Sequence, residues 1–427
     1  MRIVALGAGG GMGRYAVRTA ATFACVEQIV VVDRDEARAR EVADNWVGEK
    51  GVSARADITD LESLKHLLDQ ADVVLNTTGP FYMFGPSILE AAIDSSCHYL
   101  DICDDWEPTL DMLAMDGEAR KAGITAVLGM GASPGITNLL AVKAAQALDS
   151  TLSLITGWGE STDDPEGLEE LQPGTGGSFR AAYDHWLKQV SGAIRVLEGG
   201  EFVATTPLQE IPVVFPGSGT RIAHTVGHPE PVTLPRRYPE LKASYNVMVL
   251  PGEVIALLFW LRRRIDSGRT SIAEATALVQ EAAERLTPDP RSRRPQWEAT
   301  KKGLAWLAGK LARRQMGMED ALRFIRAPKD VGPNLPVLFA CAEGIKDGGE
   351  AYAAASLASL PAGSMGGMTG IPLALGLDML GSGIIERRGV FAPEDVIDPD
   401  AFFDRLAPLC SPQADGAGAL LKVVQSP

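Results

Sequence analysis

The run Gly7-Ala8-Gly9-Gly10-Gly11-Met12-Gly13, with Asp33 twenty residues beyond Gly13, holds the residues best suited to chemistry. Glycines let a backbone bend tightly and approach a pyrophosphate while the amides of a following helix face its charge. A carboxylate ending the next strand accepts hydrogen bonds from ribose hydroxyls and repels a 2′-phosphate, which points to NAD. Arg34 beside it keeps NADP as the alternative, because a guanidinium pairs with that phosphate. The glycine spacing, G-x-G-x-x-x-G, is one residue longer than the usual dinucleotide loop. A tight turn in a non-binding α/β domain is the plain rival. A methyltransferase, which also pairs a glycine loop with an acid after its second strand, is the sharper one.

Elements must hold these residues in place. Short β-branched runs predict strands at Arg2–Leu6, Gln28–Val32, Val52–Arg55, Val73–Asn76, His98–Leu100 and Ala126–Leu128. Helices are expected between them, from near Met12, Arg34, Leu61, Met83 and Pro108, with another from Pro134 after the last. Beyond Leu148, Thr151–Trp158 and Phe202–Phe215 read as strands, and 172–177 as a loop over a site. From Arg262 to Arg314 the chain turns basic and suggests two helices around a break at Pro288–Pro295. Gly363–Gly370 reads as a turn leading into a helix from Pro372. The expected class is α/β: a Rossmann-type doubly wound parallel sheet, a second α+β domain with a mixed sheet, and a helical insertion. The expected divisions are a dinucleotide-binding domain over 1–133 and a substrate and dimerisation domain over 134–365. The insertion falls at about 262–330, and 366–427 is expected to return to the first domain.

Composition narrows the function. Forty Lys and Arg against fifty-five Asp and Glu give a net charge of −15, which argues against nucleic acid as the main partner. Five scattered cysteines without a Cys-x-x-Cys pair suggest neither a disulfide framework nor zinc, and fit a reduced cytoplasm. The N-terminus shows no apolar signal core, and no run is long enough for a membrane span. His224 and His228 lie four apart; in one strand they would share a face some 13 Å apart, so no metal is expected. No Ser-His-Asp or Cys-His nucleophile arrangement is visible.

Six N-terminal segments resemble the saccharopine dehydrogenase (saccharopine reductase) superfamily in its lysine 6-dehydrogenase-like form. They are Gly7–Arg14, Val31–Arg34, Ala56–Asp60, Asp72–Phe81, His98–Asp101 and Gly131–Asn138. Gly370-Ile-Pro and Gly389–Glu394 also look like it. The resemblance covers residues 1–260 and 360–410 and leaves out the basic helices. It implies hydride transfer at a C–N carbon of an amino-acid-like or polyamine-like substrate, a cytoplasmic homodimer, and a β-rich domain forming the second wall of the cleft. It also implies that Asp101 is a substrate-pocket carboxylate that holds an amine and assists the proton step, with Phe81 and Tyr82 lining the pocket.

The residues themselves add further candidates. Asp57 and Ile58 follow the third strand, where a carboxylate and an aliphatic side chain can meet adenine; an ordinary helix-start Asp is the alternative. Asn76, Thr77, Thr78 and Gly79 end the fourth strand on the ligand edge. Asp104, near Asp101, is a substrate contact or a helix cap. Ser133 and Pro134 suggest an N-cap and first helical residue, lining a pocket or merely capping. Arg221 and Arg236 suit a substrate carboxylate, and His228 suits proton transfer. Tyr183 and His185 are further candidates, with solvent-exposed helix positions as the alternative. A non-catalytic dinucleotide sensor, and a reductase of apolar substrates seated on a membrane by the basic helices, are the competing functions.

Overall fold

Ile3–Leu6, Ile29–Val32 and Val73–Leu75 are apolar along their whole length, so a sheet containing them needs cover on both faces. The computed structural model describes residues 1–159, 177–286, 295–327 and 335–426. In it, β1 (Arg2–Leu6), β2 (Gln28–Asp33), β3 (Gly51–Arg55), β4 (Val73–Asn76), β5 (His98–Asp101) and β6 (Thr125–Val127) alternate with helices. These are α1 (Gly11–Ala21), α2 (Glu36–Val42), α3 (Leu61–Leu68), α4 (Phe81–Asp94), α5 (Trp106–Leu113) and α6 (Asp116–Ala122), and α7 (Ile136–Ala145) follows β6.

The chain then forms β7 (Ser150–Gly159), α8 (Gly177–Gln189), β8 (Ile194–Glu198), β9 (Glu201–Thr205), β10 (Glu210–Phe215), β11 (Gly219–Thr225), α9 (Glu230–Arg237) and β12 (Ala243–Val249). Four helices come next: α10 (Gly252–Asp266), α11 (Ile272–Leu286), α12 (Pro295–Ala312) and α13 (Met318–Arg326). The remainder holds β13 (Leu338–Lys346), β14 (Gly349–Leu357), β15 (Leu360–Pro361), α14 (Ser364–Gly381), β16 (Gly389–Phe391), β17 (Cys410–Ser411) and β18 (Leu421–Ser426).

The first sheet is parallel throughout, in the order β16-β6-β5-β4-β1-β2-β3. Its strand order switches between β1 and β4, the place where open α/β sheets bind ligands at the carboxyl ends of their strands. The second sheet is mixed: β12 and β7 run parallel, whereas the other pairings are antiparallel, in the order β10-β11-β12-β7-β13-β14-β18 with β8 attached to β12 and β9 to β8. This is the α/β architecture expected from the sequence, with a second mixed sheet and helical insertions. The helices α10–α13 share a core around Trp260 and Trp306, whose rings meet edge to face at 5.8 Å.

Three local expectations are corrected. The single strand at Phe202–Phe215 is two, because Pro207 lacks an N–H for the ladder and Leu208 turns back at φ 65°. The turn expected at Gly363–Gly370 is mostly helix: α14 starts at Ser364 and runs through Pro372. Its glycines are contact surfaces, since a Cβ on Gly370 would lie 2.3 Å from the Met12 carbonyl and 2.8 Å from Ala16 N. The C-terminal helix thus lies directly on α1. Finally, Ser133 and Pro134 do not open α7. Gly135 is its N-cap residue, and Asn138 Oδ1 accepts the Gly135 amide at 2.8 Å, which leaves the Ser133 hydroxyl for other work. The loop expected at 172–177 and the break at Pro288–Pro295 fall almost wholly outside the described residues.

Candidate functional site

The glycine loop spans the end of β1 and the start of α1. Gly7 adopts φ 71°, and its carbonyl accepts the Gly10 amide at 2.9 Å. A Cβ on Gly9 would meet Asp33 Oδ2 at 2.5 Å, and one on Gly13 would meet Ala8 Cα at 2.6 Å and Thr77 Oγ1 at 2.7 Å. Gly10 sits within the turn, while a Cβ on Gly11 would meet nothing within 4 Å, so that position opens away from the protein. Met12 packs partly buried beside the core. Asp33 is half-buried, with Oδ1 fixed by the Asp35 amide at 2.9 Å, and Arg34 is exposed next to it. This is a cradle that a dinucleotide fits: a side chain at Gly13 would press on backbone, and one at Gly9 would displace the Asp33 carboxylate.

Neighbouring strand ends complete the edge. Asp57 is exposed and binds its own turn: Thr59 donates to it from its amide (2.9 Å) and hydroxyl (2.7 Å), which lowers the carboxyl below its usual range. The helix-capping aspartate there is Asp60, and Ile58 is half-buried against the core. Thr77 Oγ1 donates to Leu6 O at 2.8 Å, tying β4 to β1. Asn76 Oδ1 accepts from the amide and hydroxyl of Thr78, and a Cβ on Gly79 would meet open space.

Asn76 also begins a buried relay. Its amide donates to Tyr99 Oη (3.0 Å), and that hydroxyl donates to Asp101 Oδ2 (2.8 Å). Asp101 Oδ1 accepts from the amides of Cys103 (3.0 Å) and Gly129 (2.6 Å). Asp101 has no exposed surface; burial pushes its carboxyl up to about 6 against the pull of those amides. Both oxygens are therefore occupied by groups that join the ends of β4, β5 and β6. Phe81 is likewise buried in the core, whereas Tyr82 is exposed with Lys188 Nζ 3.1 Å from its ring centroid.

A second cluster lies just past the end of β5. Asp104 Oδ1 is 2.9 Å from His185 Nε2, and Gln189 Nε2 donates to the Asp104 carbonyl at 2.9 Å and to Oδ2 at 3.1 Å. His185 and Gln189 are four apart on α8, so one helical face presents both. Burial favours the neutral imidazole, but the carboxylates of Asp104 and Asp105 outweigh it and raise His185 to about 9. Burial likewise opposes the Asp104 charge, and His185 overrides it, holding that carboxyl below its usual range.

A third cluster comes from the second domain. His228 lies beyond the end of β11 rather than in one strand with His224, and is 4% exposed. Its Nδ1 stands 3.4 Å from Glu230 Oε2 and 3.4 Å from Ser133 Oγ. Glu230, fully buried, accepts on Oε1 from Ser133 (2.6 Å), Thr137 (2.8 Å) and Asn246 (2.9 Å). Burial would raise its carboxyl, but His228 and the Ser133 hydroxyl hold it low. Pro134 precedes α7 beside this group, and a Cβ on Gly129 would clash with its ring at 2.5 Å. The Gly227 amide, next to His228, donates to the Gln189 carbonyl at 3.0 Å, which sets the third cluster beside the second.

The two arginines stand elsewhere. Arg221 is buried in β11, four residues before Thr225 and so roughly 13 Å back along the strand. Arg236 ends α9 beside a groove of about 170 Å³ shared with Leu110, Arg195, Phe202, Val232 and Pro235. Among the described residues no group of three or more His, Cys, Asp or Glu side chains is placed to hold a metal. No helix there is long and apolar enough to cross a membrane. Asp105 and Glu230 are legible in the sequence as acids beside Asp104 and His228, whereas Gln189 and Asn246 carry no such signal.

Residues 3–127 match the family model described as the saccharopine dehydrogenase NADP binding domain. A probable mitochondrial saccharopine dehydrogenase-like oxidoreductase of Arabidopsis thaliana is 31% identical over 117 residues, 25% of this chain and 26% of that protein. The chain thus spans about a quarter of that relative's length. Carboxyaminopropylagmatine dehydrogenase of Synechocystis is 21% identical over 430 residues, 96% of each chain. Apo saccharopine dehydrogenase (L-Glu forming) of Saccharomyces cerevisiae aligns over 100% of both chains with a TM-score of 0.60 and 17% identity, which shows a shared fold. Together these relate the chain to saccharopine dehydrogenase-like oxidoreductases that bind NAD(P), and not to lysine 6-dehydrogenase in particular.

Proposed function

We propose that this chain is an NAD(P)-dependent dehydrogenase or reductase that moves a hydride to or from the carbon of a C–N bond in an amino-acid-like or polyamine-like substrate. The observation that supports it most is the Asp104–His185 pair just past β5, with the His228 segment bonded to the same helix as His185, on the same sheet edge as the glycine loop. When bound, the cofactor supplies the hydride acceptor or donor. Gly7 to Gly13 receive its pyrophosphate, Asp33 and Arg34 its adenine ribose, Asp57 and Ile58 the adenine, and Asn76 to Gly79 the nicotinamide side. Asp104 holds the substrate nitrogen. His228, fixed through Nδ1 by Glu230 and Ser133 and with no partner for Nε2 among the described residues, gives or takes the proton at Nε2. Asp101 acts at one remove, as a positioning residue that locks the strand ends. The same proposal includes a cytoplasmic homodimer.

Quenching of protein fluorescence by NADH and NADPH tests cofactor binding and preference. Absorbance at 340 nm, with amino acids, diamines and imines as substrates, tests turnover. Failure of both dinucleotides to bind at millimolar concentration would remove the redox reading, and binding without turnover of any of these classes would favour a sensor. A second reading keeps the chemistry but seats the insertion on an anionic lipid surface. Met318 (65% exposed) and Ile325 (59%) stand beside Arg323 and Arg326 on α13. Pelleting with phosphatidylglycerol vesicles at low salt checks it.

A further inference from the structure

Both α5 and α9 start at the polar clusters of the candidate site, α5 just after Asp105 and α9 at Glu230. On α9 the helical spacing puts Glu230, Leu234 and Arg237 on one face, where Arg237 donates to the Glu394 carbonyl. Val232, Pro235 and Arg236 share the opposite face. That face borders the groove of about 170 Å³. Two neighbouring arginines thus do different work, one tied into the fold and one turned toward open space.

The β8–β9 hairpin supplies a second cation to the same groove. Leu197 pairs with Phe202, and Arg195, two residues earlier on β8, shares their face, its guanidinium carbon 4.9 Å from the Phe202 ring centroid. Leu110 of α5 completes the lining, in which no residue is acidic. Neither arginine forms an ion pair among the described residues. Burial raises the Asp395 carboxyl, and Arg236, Arg237 and Arg387 together pull it down. One carboxylate among three guanidiniums leaves Arg236 with charge uncompensated. The groove is therefore cationic between apolar walls, although acids outnumber Lys and Arg in this chain by fifteen.

We propose that this groove is an effector site for a small monocarboxylate with an apolar body, held between the guanidiniums of Arg195 and Arg236. Each carboxylate oxygen takes one fork. The body lies against Leu110, Val232 and the ring of Phe202, which is 42% exposed. Inorganic phosphate brings charge but nothing for these walls, and the small volume keeps large ligands out. Arg236 is six residues, about 9 Å along the helix, from Glu230 and on the other face, so the groove is not the place of reaction. Its ligand would instead join α5 of the parallel-sheet half to α9 and the hairpin of the mixed-sheet half, and steady the spacing of the clusters at the starts of those helices.

The test is calorimetric titration of the full chain with phenylacetate, acetate and 2-phenylethanol. Phenylacetate supplies both charge and body, and the other two supply one each. It is expected to bind roughly tenfold or more tighter than either. Arg195→Gln and Arg236→Gln should each lose roughly tenfold or more in phenylacetate affinity, while Arg40→Gln on α2, which removes the same charge elsewhere, keeps it within about twofold. If Arg195→Gln fails to fold, Arg236→Gln, at an exposed position, decides alone. Binding of 2-phenylethanol as tight as that of phenylacetate, or phenylacetate affinity indifferent to both groove substitutions, overturns the site. Bound phenylacetate should also slow amide hydrogen exchange in α5 as well as α9, and slowing confined to α9 and the hairpin overturns the bridge. These readouts use neither dinucleotide nor turnover, so they stand or fall apart from the redox reading.

Discussion

Asp101 and Asp105 are four residues apart, both buried at the same sheet edge, yet they are opposites. Asp101 has both oxygens filled, by Tyr99 and by the Cys103 and Gly129 amides. Asp105 has one oxygen without a hydrogen-bond partner and the other 3.8 Å from His185. The contrast extends to the two halves of the cleft. On the dinucleotide side the polar groups near β4, β5 and β6 satisfy each other, whereas the substrate side also leaves buried Asn246 Oδ1 and Ser244 Oγ without hydrogen-bond partners. Buried polar groups are normally bonded, so a cluster of exceptions calls for an explanation outside the described chain, such as a ligand or water. Burial alone therefore does not mark a catalytic acid, and the state of its oxygens discriminates better.

The largest expected effect is at Asp101. Asp101→Ala strands a tyrosine hydroxyl and two amides in the interior, each costing about 1–3 kcal/mol, so the variant should lose on the order of 3–5 kcal/mol in urea unfolding. Stability within about 1 kcal/mol of wild type, together with lost turnover, would move Asp101 from positioning to chemistry. Next comes Gly13→Ala. Its Cβ would press on Ala8 Cα at 2.6 Å, backbone that cannot swing aside, so dinucleotide affinity should fall by about a hundredfold, or roughly 3 kcal/mol. Gly11→Ala meets no protein atom within 4 Å, and any loss there reports the ligand's own closeness. Equal effects at both glycines would contradict the cradle.

His185 gives a middle-sized effect with a definite sign. Its pKa is raised from 6.5 to about 9 in the folded chain, so its pairing with Asp104 contributes fully below about pH 6.5 and is lost as pH rises through 9. Wild type should lose about 2 kcal/mol of stability between pH 6.5 and 9.5 that His185→Gln does not lose. Parallel pH profiles for the two proteins would break the pair.

Legibility in the sequence followed the range of the interactions. The parallel sheet could be read because each strand is a local apolar run, and the glycine loop because its chemistry is contiguous in the chain. The substrate side could not be read in the same way. Glu230 meets Thr137 and Asn246 only after folding across 93 and 16 residues, and His185 meets Asp104 from a helix of the other domain. Gln189 carried no signal at all. Arg221 and Arg236 looked suitable by charge, but spacing along the chain does not say where the strand of the one and the helix of the other carry their side chains. The glycines of α14 misled for a physical reason: they suggest a turn when read locally, and in the fold they let two helices touch backbone to backbone.

The smallest expected effect tests whether an orphaned oxygen always signals a ligand. Glu394 is fully buried where the C-terminal segment meets the second domain; Oε2 accepts from Asn138 Nδ2 at 2.7 Å and Oε1 has no partner. Burial, reinforced by Asp395, raises its carboxyl from 4.5 to about 7, and Arg237 binds its backbone carbonyl rather than its charge. Because the folded pKa is the higher one, Glu394 supports stability fully below about pH 4.5 and withdraws that support as pH rises through 7. Unlike Asp105, which has His185 3.8 Å away, Glu394 forms no ion pair among the described residues, so its proton rather than a counter-charge completes it. Glu394→Gln keeps the acceptor for Asn138 and removes the charge, so it should match wild type at pH 5 and exceed it by up to about 1 kcal/mol at pH 8.5 in urea unfolding. A loss at pH 8.5 instead would mean that the ionised carboxylate has a counter-charge, and the two buried acids would then belong to one class.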